Sequence, residues 1–114
     1  MLLTTFLDKL SSTPELIAFS DTMATIDASY QFTETAFENG EQANAAGENS
    51  GSCKIFSFAK LNGLDKMQTL ACFGSYYRDD VLQNRQGNDH QNIRQFMING
   101  WEGINFSEQA LTEK

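Results

Sequence analysis

Apolar residues recur with helical spacing through the first quarter of the chain. Leu3, Phe6, Leu7 and Leu10 lie three or four residues apart, which predicts a short amphipathic helix over residues 2–10. A second helix is signalled by "STPEL". Ser12 or Thr13 is the expected cap, Pro14 fits the first turn where its missing N–H costs nothing, and Glu15 suits the positive end. Leu16, Phe19 or Ser20, Met23 and Ile26 continue the periodicity to about Asp27. The period then changes. In "SYQFTETAF", Tyr30, Phe32 and the threonines alternate with polar residues, as in a half-buried strand. The following "ENGEQANAAGENSGS" has no large apolar side chain, so residues 37–52 read as a mobile loop.

From Cys53 the pattern is apolar again. "CKIFSFAKLNG" predicts a buried helix capped by Ser52 and ended by Gly63, with a strand over "KIFSF" as the alternative. "LDKMQTLACFG" predicts another, with Asp65 as cap and Met67, Leu70 and Ala71 on one face. Beyond Gly74, "SYYRDDVL" adds a helical turn or two with Tyr77 and Val81 inward, and "NRQGND" is turn chemistry. Asp89 is the expected cap of a last helix in which Ile93, Phe96 and Met97 face the core and Gly100 supplies the stop. "GINF" reads as a closing strand that can pair with "QFTETAF". No repeat or linker divides the chain. The pattern therefore predicts one α+β domain over residues 1–114, mainly helical, with a small β-sheet from short strands around 30–36 and 103–106.

Composition narrows the function classes. At 114 residues, nine of them Phe, the chain is long enough to bury a core without staples. Fifteen acidic against eight basic residues give a formal charge of -7. Nucleic acid is therefore excluded as a partner, because its binding leans on Lys and Arg to displace counterions. A membrane span is excluded too, since no apolar run approaches the ~20 residues it needs. The start, "MLLTTFLDKLSSTPEL", lacks a basic n-region and is interrupted by Asp8 and Lys9, so a Sec signal peptide is not expected. Cys53 and Cys72 form no CxxC pair and read as free thiols of a cytoplasmic protein.

The candidate chemistry gathers in "RDDVLQNRQGNDHQNIRQFM", which holds the only histidine. A helix N-terminus lowers a thiol pKa, so Cys53 is a candidate nucleophile, with His90 as base and Asp89, Asp79 or Asp80 to orient it. The competing reading makes both cysteines small core fillers and His90 a surface residue. Metal sites fail on ligand count. Zinc needs more His or Cys, and a calcium loop aligned on Gly87 places Leu82 and Ile93 at ligand positions. Gly47, Gly51 and Lys54 lack the spacing of a phosphate loop. No cofactor is expected. Asp79 and Asp80 are expected to pair with Arg78 or Arg94. Together with the aromatic pair Tyr76 and Trp101, and with Asp89 and His90, these residues make the candidate binding set. Phe73 and Tyr77 read as core.

Three stretches, "NSGSCKIFSFAKL", "TLACFGSYYRDDVL" and "DHQNIRQFMINGW", resemble the HopJ family of type III effector proteins, over roughly residues 32–106. One departure is Asn84-Arg85 where the family pattern has an Asn-Pro turn, which removes proline's fixed φ. The resemblance implies a bacterial protein secreted through a type III system in plant pathogens, with counterparts in free-living and marine bacteria. It implies no established activity or catalytic residue. The combined expectation is a module that binds an unidentified protein or small-molecule partner. The alternative is a cysteine-dependent enzyme using Cys53 with His90.

Overall fold

Phe6 and Leu10 are the buried positions of α1 (Leu3–Ser12), on the stripe the periodicity predicts. In this computed structural model, which describes residues 2–114, the expected second helix is two elements. Pro14–Leu16 make a single 3₁₀ turn, Ile17 and Ala18 run extended, and α2 begins only at Phe19 and ends at Ser29. The break inverts the expected burial: Ile17 is 0% exposed and Leu16 62%. Two interactions stabilise it. The Arg78 guanidinium donates to the Ile17 carbonyl at 2.7 Å and the Pro14 carbonyl at 3.4 Å. At the start of α2 the Ala18 N–H donates to the Asp21 carboxylate at 3.4 Å, so the cap comes from Asp21 and not from Ser12 or Thr13.

Two small antiparallel sheets complete the α+β architecture. β1 (Tyr30–Phe32) pairs with β5 (Leu111–Glu113), the latter a strand the pattern does not predict. β2 (Phe37–Asn39) is the centre of the second sheet, between β3 (Gln42–Asn44) and β4 (Ile104–Phe106). The expected strand over 30–36 thus stops at Phe32, and of "QFTETAF" only Phe37 meets "GINF", opposite Phe106. The expected loop over 37–52 is a correction as well: residues 37–44 form a hairpin and α3 starts at Ser50. What holds the hairpin is buried amide. Asn39 is 0% exposed and Asn44 3%, both hydrogen-bonded, and a search for large apolar side chains passes over them.

α3 (Ser50–Leu61) is the central helix, with Cys53, Ile55, Phe56, Phe58 and Ala59 all buried. It is helical through "KIFSF", and Gly63 follows in the left-handed region at φ 65. Asp65 caps α4 (Lys66–Ala71) as expected, accepting from the Gln68 N–H at 2.8 Å, while the Asp65 N–H donates to the Gln68 side-chain oxygen at 3.1 Å. Met67 is the exception on that helix, 63% exposed, its expected inward place being taken by the fully buried Thr69. Gly74, at φ 61, lets the chain pass close to α2: a Cβ there would sit 2.6 Å from the Phe19 nitrogen. A π-helical segment, Tyr76–Val81, follows, then α5 (Gln91–Asn99) and a 3₁₀ turn, Gly100–Gly103. Phe56 is the hub of the core, its ring 4.9 Å from Phe96, 5.5 Å from Phe73 and 6.4 Å from Trp101.

Candidate functional site

His90, not Asp89, is the N-cap of α5. It adopts left-handed backbone angles (φ 49, ψ 49), and its side chain caps nothing. The expected cap is withdrawn because Arg94 captures it: Nη2 donates to the Asp89 carboxylate and Nε to the Asp89 carbonyl, both at 2.6 Å. The Arg94 guanidinium holds the Asp89 carboxyl below the ordinary aspartate pKa. Asn49 is the N-cap of α3 in the same unusual conformation (φ 51, ψ 47), also without a side-chain cap bond. Left-handed non-glycine residues are uncommon, and Asn and His are among the types that adopt the region most readily. Both helix starts open onto one cleft of about 500 Å³, walled by Phe19, Phe73, Tyr76 and His90, with Gly51, Ser52 and Gln91 beside them. No carboxylate lines it.

The histidine is held from one side. Its Nε2 lies 3.1 Å from the Asp80 carboxylate and 3.9 Å from that of Asp89. Nδ1 has no hydrogen-bond partner among the described residues. The ring lies 5.2 Å from Tyr76, which meets Phe19 edge-on at 5.0 Å. Tyr76 and Asp80 reach the same imidazole because both project from the π-helical segment, where Leu82 N–H donates to the Tyr77 carbonyl five residues back. Behind the cleft is an asparagine network that the sequence reading missed. The Asn92 side-chain oxygen accepts from Asn39 at 3.1 Å and from Asn44 at 3.2 Å, and its amide donates to Asn44 at 3.0 Å. Asn49 joins at 2.7 Å. These partners are up to 53 residues apart in the chain, so local spacing holds no sign of them.

The remaining candidates go elsewhere. Arg78 bonds the carbonyls of the α2 break and Arg94 bonds Asp89, so neither pairs with Asp79 or Asp80 as expected. Asp80 pairs with His90, and Asp79 is exposed without an ion pair among the described residues. Trp101 packs edge-on against Phe56 and Phe96 rather than lining the cleft. Lys54 pairs with Asp27 at 2.9 Å. Cys53 and Cys72 are both free and buried. Burial raises the Cys53 thiol pKa and pushes that of Cys72 up to about 12, the opposite of what a nucleophile needs. No hydrogen bond joins Cys53 to His90, and the Cys53 sulfur instead faces the Thr35 carbonyl at 3.6 Å.

Residues 3–111 match the family described as HopJ type III effector protein. The chain belongs to the HopJ family. A crystal structure of the unknown-function protein VPA0580 has the same fold, with a TM-score of 0.99 at 60% identity over 100% of this chain and 95% of that one. No curated protein matches the chain. This HopJ chain has no group of three or more His, Cys, Asp or Glu placed to hold a metal ion among the described residues. None of its described helices is long and apolar enough to cross a membrane.

Proposed function

We propose that the protein is a binding module, without turnover, whose cleft at Tyr76 and His90 takes a small ligand bearing an anionic or acceptor group. The observation that carries this reading is the opening of two helix starts, each with a left-handed and uncapped N-cap, onto the same carboxylate-free cleft. Helix N-termini present unpaired N–H groups and partial positive charge. Together they offer donors for an anion. Asp80 and Asp89 at His90 Nε2 oppose it at close range, while the more distant charges of the net -7 are screened over about 8 Å at physiological salt. Tyr76 offers a flat face beside the donors. Membership of the HopJ family supports an effector role, with delivery through a type III secretion system as the setting in which the module meets its partner.

The test is an amide NMR titration with inorganic phosphate and with benzoate. Saturable shifts are expected at Gly51, Ser52, Gln91 and Asn92, weakened several-fold in His90→Ala and, for benzoate, in Tyr76→Ala. Absence of saturable change at those four amides with either probe overturns the reading.

A further inference from the structure

One ring nitrogen of His90 takes no part in the contacts that hold the side chain. The imidazole is a wall of the cleft and Asp80 is not, yet Asp80 takes Nε2 at 3.1 Å. Opposite Nε2 in the five-membered ring is the bond from Cγ to Nδ1, so the nitrogen on the cleft side is Nδ1. It has no hydrogen-bond partner among the described residues. Which ring nitrogen carries the proton is set by the bond the other one makes. A carboxylate only accepts, so Asp80 holds the proton on Nε2 and leaves Nδ1 as a lone-pair acceptor. Asp89, 3.9 Å from the same Nε2, acts in the same sense.

The aromatic walls run in a row from the start of α3 to His90. A Cβ on Gly51 would lie 3.0 Å from the Phe19 ring, Phe19 meets Tyr76 at 5.0 Å, and Tyr76 meets His90 at 5.2 Å. The unpaired amides of Gly51 and Ser52 are thus at one end of the row and the acceptor Nδ1 is at the other. We propose that the cleft selects a planar aromatic acid that also carries an O–H or N–H donor at its far end. This deepens, and rests on, the assignment of the cleft as an anion-binding site. The acid group accepts from the α3 amides, because the carboxylates of Asp80 and Asp89 oppose an anion at His90. The ring lies against Phe19 and Tyr76, and the far-end donor bonds Nδ1. An aromatic acid without that donor strips water from Nδ1 and returns no bond. His90 therefore touches the ligand, and Asp80 is a positioning residue.

Two measurements test the proposal. The single histidine gives one set of ring-nitrogen signals in long-range proton–nitrogen NMR. At about pH 8, above the ordinary imidazole value of about 6.5, a protonated Nε2 and a bare Nδ1 are expected. A proton on Nδ1, alone or together with one on Nε2, overturns the assignment. Benzoate, meta- and para-hydroxybenzoate and para-methoxybenzoate are then titrated at the same pH and followed at the Gly51 and Ser52 amides. A hydroxybenzoate is expected to bind about three- to tenfold tighter than benzoate, the gain of one hydrogen bond, and para-methoxybenzoate no tighter. In Asp80→Ala the ratio of hydroxybenzoate to benzoate affinity is expected to fall toward one, a comparison from which the effect of the lost charge on all the acids cancels. Hydroxybenzoates no tighter than benzoate, an equal gain from the methoxy group, or a ratio unchanged in Asp80→Ala each overturns the proposal. Benzoate that still binds in those cases leaves the anion site standing, whereas no binding by any of the four acids overturns both.

Discussion

Asp89 illustrates how a single side chain is assigned its role by its neighbours. A local pattern makes it a helix cap. The buried Arg94, five residues on, makes it the acceptor of two-point contact instead, and His90 takes the cap position in a strained conformation. The pairing has a pH signature. Because the folded pKa is depressed, the folded state holds the Asp89 proton less tightly than the unfolded state does. The stabilisation is therefore complete above the unfolded value of about 3.9 and is lost as pH falls through the folded value. In acid denaturation from about pH 5 downward, wild type should lose its advantage over Asp89→Asn, the two curves converging as the carboxyl protonates. The half-exposed carboxylate keeps the effect small. Parallel curves at every pH would show that the Arg94 contact does not depend on charge.

Among the elements, the hairpin β2–β3 rests on one buried apolar side chain, Phe37, and on the buried amides of Asn39 and Asn44. Asn92 is its anchor on α5, accepting from Asn39 and Asn44 and donating to Asn44. In Asn92→Ala the Asn39 and Asn44 amides each lose one acceptor but keep the backbone carbonyls of residue 92 and Phe37. The loss is therefore that of two or three buried hydrogen bonds, about 0.5–1.5 kcal/mol each. Urea denaturation of that variant should show a loss of this size with an unchanged slope. The loss should be greater than for removal of an exposed asparagine such as Asn88, where a change within about 0.5 kcal/mol is expected. Equal losses at the two positions would mean that the network does not anchor the hairpin. The element boundaries carry the same lesson. Periodicity located α1, α3, α4 and α5, but not the break at Ile17 and Ala18. That break depends on Arg78, more than sixty residues away, satisfying the freed carbonyls.

Over the whole molecule, both thiols lie inside the aromatic core organised around Phe56, so their chemistry reports global opening. Desolvation suppresses the thiolate at Cys72 most, with its pKa near 12, and at Cys53 in the same direction. At about pH 8, iodoacetamide should modify neither cysteine in the native protein, and both at the rate of a model thiol, pKa about 8.5, once urea unfolds it. Rapid native modification of Cys53 alone would contradict its burial and restore it as a candidate nucleophile. The sheets close the fold in a way that explains this protection. β5 returns to β1 and β4 to β2, bringing the C-terminal segments alongside the strands that lead into α3.

The sequence by itself determined the fold class, the existence of five helices, the inward place of Phe6, Phe73 and Phe96, and the family. Each rests on local spacing, on caps such as Asp65 or on whole-chain resemblance, and each is carried by residues close together in the chain. It also identified the segment from Arg78 to Arg94 as chemically distinct, and Tyr76 and His90 among the binding candidates. Tertiary structure alone decided which candidates share a cleft, that Trp101 and Arg78 serve packing and backbone satisfaction, and that an asparagine network backs the site. It also decided that Cys53 is desolvated. These are matters of distance between residues far apart in the chain and of exclusion of water, and neither quantity is encoded in spacing.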